Sequence, residues 1–227
     1  MKKSLRLILS IILIFSLAFT ITGCGDKEKD ENTEVVEEIE KSKTFNALNN
    51  VFSSENSVIV LQGRSDMGAG EEDVTMTVAT KGENIYIDVN SISQHATIMY
   101  KDGTTYIMSH DEKLYTTIKG KDEGIFDEDT IVISKQDLKY IEKQEAIKGK
   151  ETIDGTEYEY EEFKDEEENI IDRYYFSNND LKYIKSIDED GNEELMKIIK
   201  LSSELDDSLF SIPTGYEVIN LNNLEEQ

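Results

Sequence analysis

From residue 57 onward, apolar and polar side chains alternate with a period of two in short runs. Val74, Met76 and Val78 alternate with Thr75 and Thr77, and Ile85, Ile87 and Val89 alternate with Tyr86, Asp88 and Asn90. Leu114, Thr116 and Ile118 alternate with Tyr115 and Thr117. This period marks half-buried antiparallel strands. Lys81-Gly82-Glu83, Lys101-Asp102-Gly103-Thr104, Asp154-Gly155-Thr156 and Asp190-Gly191-Asn192 separate the runs. Glycine accepts the positive φ that tight hairpin turns require. The spacing predicts about ten or eleven strands joined as a meander. Upstream the period changes. Val35, Val36, Ile39, Leu48, Val51 and Phe52 recur every three or four residues, predicting an amphipathic helix over 33–52 whose stripe weakens around 41–43. Glu34, Glu37 and Glu38 suit the dipole at its start.

A sheet of this length curls under its own twist, and its apolar face needs a cover. The expected fold class is α+β, mainly β. It would be a strongly bent antiparallel meander (a half-barrel) covered by the N-terminal helix, or by that helix and a second short one. Residues 33–227 are read as one domain. The acidic stretch 119–129 is read as a longer loop or lid dividing two groups of strands within one sheet. Asp137-Leu138-Lys139-Tyr140-Ile141 recurs as Asp180-Leu181-Lys182-Tyr183-Ile184. No fixed period is sustained, so the echo is at most a repeated strand pair.

The first residues belong to another pattern. Met1-Lys2-Lys3-Ser4-Leu5-Arg6 is basic, 7–19 is apolar and uncharged, and Thr20-Ile21-Thr22-Gly23 leads to Cys24, the chain's single cysteine. That order of basic, apolar and small segments is a secretory signal, and the apolar run is short for a spanning helix. A lone cysteine makes no intramolecular disulfide. Ile21-Thr22-Gly23-Cys24 resembles the bacterial lipobox, with Ile21 where Leu is usual. The resemblance implies diacylglycerol on the Cys24 thiol, cleavage before it, and palmitate-type acyl chains on the mature N-terminus. Two or three chains on one residue anchor stably where one does so only marginally. Residues 1–23 are then a signal peptide, and 24–32 are the lipidated cysteine with an acidic tether. The expected location is the extracytoplasmic side of the cell membrane.

Charge narrows the partners. Loss of Lys2, Lys3 and Arg6 with the signal leaves 21 basic against 49 acidic residues, a formal charge of −28. Such a surface repels nucleic acid and anionic headgroups, and attracts cations or basic partners weakly.

The sequence offers little catalytic chemistry. His95 and His110 stand about one strand apart, and neither has a second histidine at metal-ligand spacing. Each reads as a half-exposed strand or turn residue. Gly-x-Ser-x-Gly is absent, and Gly63-Arg64-Ser65 lacks an elbow pattern. The acidic runs 157–168 and 189–194 read as solvated faces. Asp188-Glu189-Asp190-Gly191-Asn192 looks like the start of a calcium loop. However, its glycine falls two places early and no glutamate follows at the twelfth position, so a hairpin turn accounts for it better. The expectation is no enzyme, no metal and no cofactor.

One set of alternating residues faces any hollow in a cupped sheet. These are Val74, Met76, Val78, Ile85, Ile87, Ile98, Ile107 and Phe176, joined by Leu48 and Phe52 from the helix. Alternation does not tell a cavity lining from a packed core. Met76, Met99 and Met108 suit either. The lipobox, the N-terminal helix, the Asp-Gly meander and the ending Asp207-Ser208-Leu209-Phe210-Ser211-Ile212-Pro213-Thr214-Gly215-Tyr216 together resemble the LolA-like lipoprotein carriers and the LppX-type envelope lipoproteins. That resemblance implies a half-barrel cupping a hydrophobic cavity that takes acyl chains. The carriers themselves are soluble, so an anchored member departs from them. Two functions are expected on these grounds: binding or carrying a lipid or other hydrophobic molecule, or interaction and sensing with a filled core and an envelope protein as partner.

Overall fold

The computed structural model describes residues 41–66, 70–121, 126, 135–165 and 169–219. The signal, the lipobox residues Ile21, Thr22 and Gly23, Cys24, the tether and the helical pattern of 33–40 lie outside the described residues.

Helix α1 spans Lys43–Phe52. It begins where the sequence stripe weakens, because Ser42 is extended and its Oγ accepts from Phe45 N at 2.9 Å, capping the first turn. Thr44, Phe45, Leu48, Val51 and Phe52 form its buried face.

Twelve strands follow among the described residues. They are β1 (Asn56–Asp66), β2 (Glu71–Lys81), β3 (Asn84–Asn90), β4 (His95–Lys101), β5 (Thr104–Ser109) and β6 (Leu114–Lys119). After helix α2 (Lys135–Ile141) come β7 (Ile147–Ile153), β8 (Thr156–Asp165), β9 (Ile170–Ser177), β10 (Asp180–Ile187) and β11 (Glu193–Ser202). A 3₁₀ turn at Asp207–Phe210 leads to the short β12 (Glu217–Val218). All belong to one open, curved sheet in the order β12-β6-β5-β4-β3-β2-β1-β11-β10-β9-β8-β7. It is therefore two meanders laid side by side, β1 pairing antiparallel with β11. The division after β6 matches the sequence reading. The sheet does not close, and only β12 runs parallel to its neighbour.

Local chemistry sets the turns. Asp102 and Gly103 have φ of 50° and 77°, and Asp154 and Gly155 have 50° and 78°. Two successive positive values make the tight hairpin turn whose twist matches its strands. At the third site the Asp188 carboxylate accepts from Asp190 N (3.0 Å), Asn192 N (2.8 Å) and Asn192 Nδ2 (2.7 Å), folding the loop upon itself. The β1–β11 register slips between Val60 and Leu61, passing over Ile199 and leaving that side chain exposed.

Between β1 and β6 the sheet is covered on both faces. One face carries Ile59, Leu61, Val78, Ile85, Ile87, Phe163, Tyr174, Phe176, Leu181, Ile184, Met196 and Ile198. Phe45, Leu48 and Phe52 of α1, Ile141 of α2, and Phe126 fill this hollow. The opposite face of β1–β6 carries Val58, Ala79, Met99 and Met108, covered by Leu205, Leu209, Phe210 and Tyr216. Met99 and Met108 thus lie across the sheet from Met76, and the three do not share one lining.

Candidate functional site

Six of the ten hollow-facing residues expected from the sequence, Leu48, Phe52, Val78, Ile85, Ile87 and Phe176, meet in one buried cluster. Met76 and Ile98 pack against it half-buried, while Val74 of β2 and Ile107 of β5 are buried outside it. Of the ten, Phe176 alone borders a pocket of about 330 Å³ that also touches Lys43, Lys148, Gly149, Lys150, Glu159, Tyr160 and Glu161.

That pocket is built by α1 and the sheet margin. Register pairs Lys148 with Glu161 and Lys150 with Glu159. Glu161 is 2% exposed, and its carboxylate accepts from Lys43 N (3.1 Å), Thr44 N (2.8 Å) and Thr44 Oγ1 (2.8 Å). A carboxylate at a helix start satisfies orphan N–H groups and the dipole together. Lys43 Nζ meets Glu159 Oε2 at 3.0 Å, and that lysine lowers the Glu159 carboxyl. Lys150 pairs with Glu157 at 2.8 Å. The pocket thus has an apolar wall at Phe176, lysine stems, and a charged rim.

A second site lies on the opposite face. Asp88 of β3 accepts from Thr97 Oγ1 at 2.5 Å and lies 3.1 Å from His95 Nε2, both on β4. His110, just past β5, places Nε2 2.6 Å from Thr97 Oγ1 and 3.5 Å from Asp88 Oδ1. The two imidazoles stack with centroids 4.0 Å apart and planes 22° from parallel. His110 Nδ1 lies 2.6 Å from the Tyr216 hydroxyl, delivered by the C-terminal segment. Burial, then the neighbouring His95, lowers the His110 pKa against the pull of Asp88 and Asp111. Burial, with the Asp88 charge second, pushes Tyr86 beside them up to about 12.

The sequence reading leaves the two histidines separate. Their pairing was nonetheless written in the Asp102-Gly103 turn: a two-residue loop that pairs Lys101 with Thr104 carries the ladder on to Ala96 opposite Ser109. One step further sets His95 against His110, whose N–H donates to His95 O at 2.9 Å. The partnership of Asp88 with Thr97 needed the β3–β4 register, which its wider loop does not fix.

A third cluster belongs to β7–β11. Glu151 accepts from Lys185 Nζ (2.5 Å), Tyr175 OH (2.7 Å) and Arg173 Nη1 (3.1 Å). Arg173 Nε also reaches Glu162 at 2.6 Å, and Lys185 reaches Glu193 at 3.0 Å. Each charge has a partner, so this network reads as structural.

No family model and no curated protein matches the chain. Among solved structures it is similar to an uncharacterized conserved protein from Thermus thermophilus, with 9% identity over 78% of this chain and 99% of that one, at a TM-score of 0.44. It is also similar to MucB in complex with MucA(peri), with 9% identity over 78% of this chain and 62% of that one, at a TM-score of 0.39. A putative outer membrane lipoprotein-sorting protein domain from Vibrio parahaemolyticus has 8% identity over 74% of this chain and 94% of that one, at a TM-score of 0.32. These likenesses transfer no site residue to this chain.

Proposed function

We propose that this protein is an extracytoplasmic lipoprotein, held at the membrane by acylated Cys24, that binds an apolar or amphiphilic molecule without chemically changing it. The observation that carries the reading is the pocket beside α1. Its volume of about 330 Å³ falls at the low end of the range for small-molecule sites, and it joins an apolar wall to a few convergent polar groups. Phe176 and the lysine stems suit a hydrocarbon segment, and Lys43, Lys148 and Lys150 suit a polar head. Among the described residues no helix is long and apolar enough to cross a membrane.

A second reading draws on the hollow itself. Side chains of α1 and α2, with Phe126, pack where a larger ligand would lie. That favours an interaction or sensing module whose partner is another envelope protein.

Native mass spectrometry of the detergent-extracted protein, with lipid analysis of the denatured sample, separates the two. A lipid adduct, and uptake of a fluorescent fatty acid that falls at least several-fold in Lys148→Glu/Lys150→Glu, is the expected result. A clean mass with no uptake would leave the interaction module.

A further inference from the structure

We infer that Asp88, His95 and His110 form a binding site for a divalent transition-metal ion of the zinc class. The inference is independent of the lipid-binding reading. It rests on side chains of the opposite sheet face.

Two imidazole nitrogens and one carboxylate oxygen are a donor set that suits zinc and its neighbours, whereas calcium prefers oxygen alone. One ligand atom from each residue lies within 4.8 Å of the others. A tetrahedral ion with bonds of ~2.0–2.2 Å holds its ligands ~3.3–3.6 Å apart. Asp88 Oδ1 stands 3.5 Å from His110 Nε2, an edge of that size, and 3.1 Å from His95 Nε2, an edge slightly short of it. The stacked rings must turn about their outer torsions for both lone pairs to converge, and such torsions are broad and soft.

The surroundings favour the site. The ligands come from β3, β4 and the residue just past β5, placed by the ladder and its last hydrogen bond to His95. With Nε2 of His110 on the ion, its proton resides on Nδ1 and donates to the Tyr216 oxygen, at 2.6 Å. That is the outer hydrogen bond that orients metal-ligating histidines. Thr97 is fully buried, and its hydroxyl lies between Asp88 and His110. On metal entry it releases the His110 nitrogen and keeps its bond to the carboxylate. A recess of about 130 Å³ touches Thr97 and His110, though neither Asp88 nor His95, and a water ligand would enter from that side.

The chain's net charge of −25 attracts cations everywhere, so the test must read the imidazoles themselves. The chain has two histidines and both are in the site. Zinc ions are titrated into the untagged, chelator-treated protein in detergent while imidazole ¹⁵N resonances are followed. The expected result is one high-affinity ion per chain, both Nε2 signals moving together, and no such movement with calcium. Affinity should fall ~10–100-fold in Tyr216→Phe, which removes only the outer bond, and further in Asp88→Asn. Zinc uptake that leaves both ring signals in place, or equal movement with calcium, would overturn the site. The wild-type spectra decide the matter even where a substitution prevents folding.

Discussion

Glu161 ties together two parts of the chain more than a hundred residues apart. Its carboxylate takes three hydrogen bonds from the first turn of α1 while almost wholly buried, so β8 fixes the position of the helix start. Glu161→Ala leaves the N–H groups of Lys43 and Thr44 without that acceptor. It should cost ~1–3 kcal/mol in urea unfolding, and Glu161→Gln, which keeps one acceptor oxygen, should cost less. Equal loss in both variants would mean that charge, not acceptor geometry, holds the helix. This contact had no sequence signal, since position 161 stood in an acidic run read as a solvated face. Residue types alone do not tell a solvated glutamate from a capping one. The same gap separated His95 from His110, although there the turn arithmetic could have closed it.

At the scale of elements, Asp-Leu-Lys-Tyr-Ile is the plainest lesson. The first copy forms most of α2 and the second opens β10. Five residues carry too weak a propensity to choose, and tertiary packing chooses for them. In α2, Ile141 is buried beside α1, whereas in β10 Leu181 and Ile184 face the same hollow from a strand. Alternation identified the strands well because burial of one face demands it. The Asn178-Asn179 turn, with φ of 52° and 67°, was less visible because it lacks glycine. The C-terminal cover was legible as a string of Phe, Pro, Gly and Tyr but not as a layer, having no period. Phe210 lies in that cover, edge-on to Tyr86 at 6.1 Å. Phe210→Ala should cost about 3 kcal/mol. Hydrogen exchange should rise first at Glu217 and Ile219, whose amides bond to Lys113 and Tyr115, while β7–β10 stay protected. Uniform loss of protection would show instead that the cover and sheet unfold as one unit.

The whole molecule uses different devices in its two halves. Between β1 and β6 the sheet is sandwiched, by α1 and Phe126 on one side and by the C-terminal segment on the other. From β7 to β11 the face away from the hollow carries the Glu151 network in place of an apolar cover. Burial pushes the Glu151 carboxyl up, but hydrogen bonds from Lys185 and Tyr175 and the charges of Lys185 and Arg173 outweigh it, and the net shift is downward. Burial pulls the Lys185 ammonium down, yet its bonds to Glu151 and Glu193 prevail and raise it. A lowered carboxyl stabilises the fold above its ordinary 4.5 and loses that contribution as pH falls through the lower folded value. A raised ammonium stabilises below its ordinary 10.5 and loses that contribution as pH climbs through the higher folded value. Lys185→Met should therefore be less stable than the parent by ~1–3 kcal/mol at neutral pH. Chemical unfolding at a series of pH values should show that gap narrowing on the acid side below 4.5, as Glu151 takes up its proton, and again on the alkaline side above 10.5. A gap equal at pH ~3 and ~7 would mean that Lys185 stabilises this half of the sheet through its packed methylene stem and not through its charge.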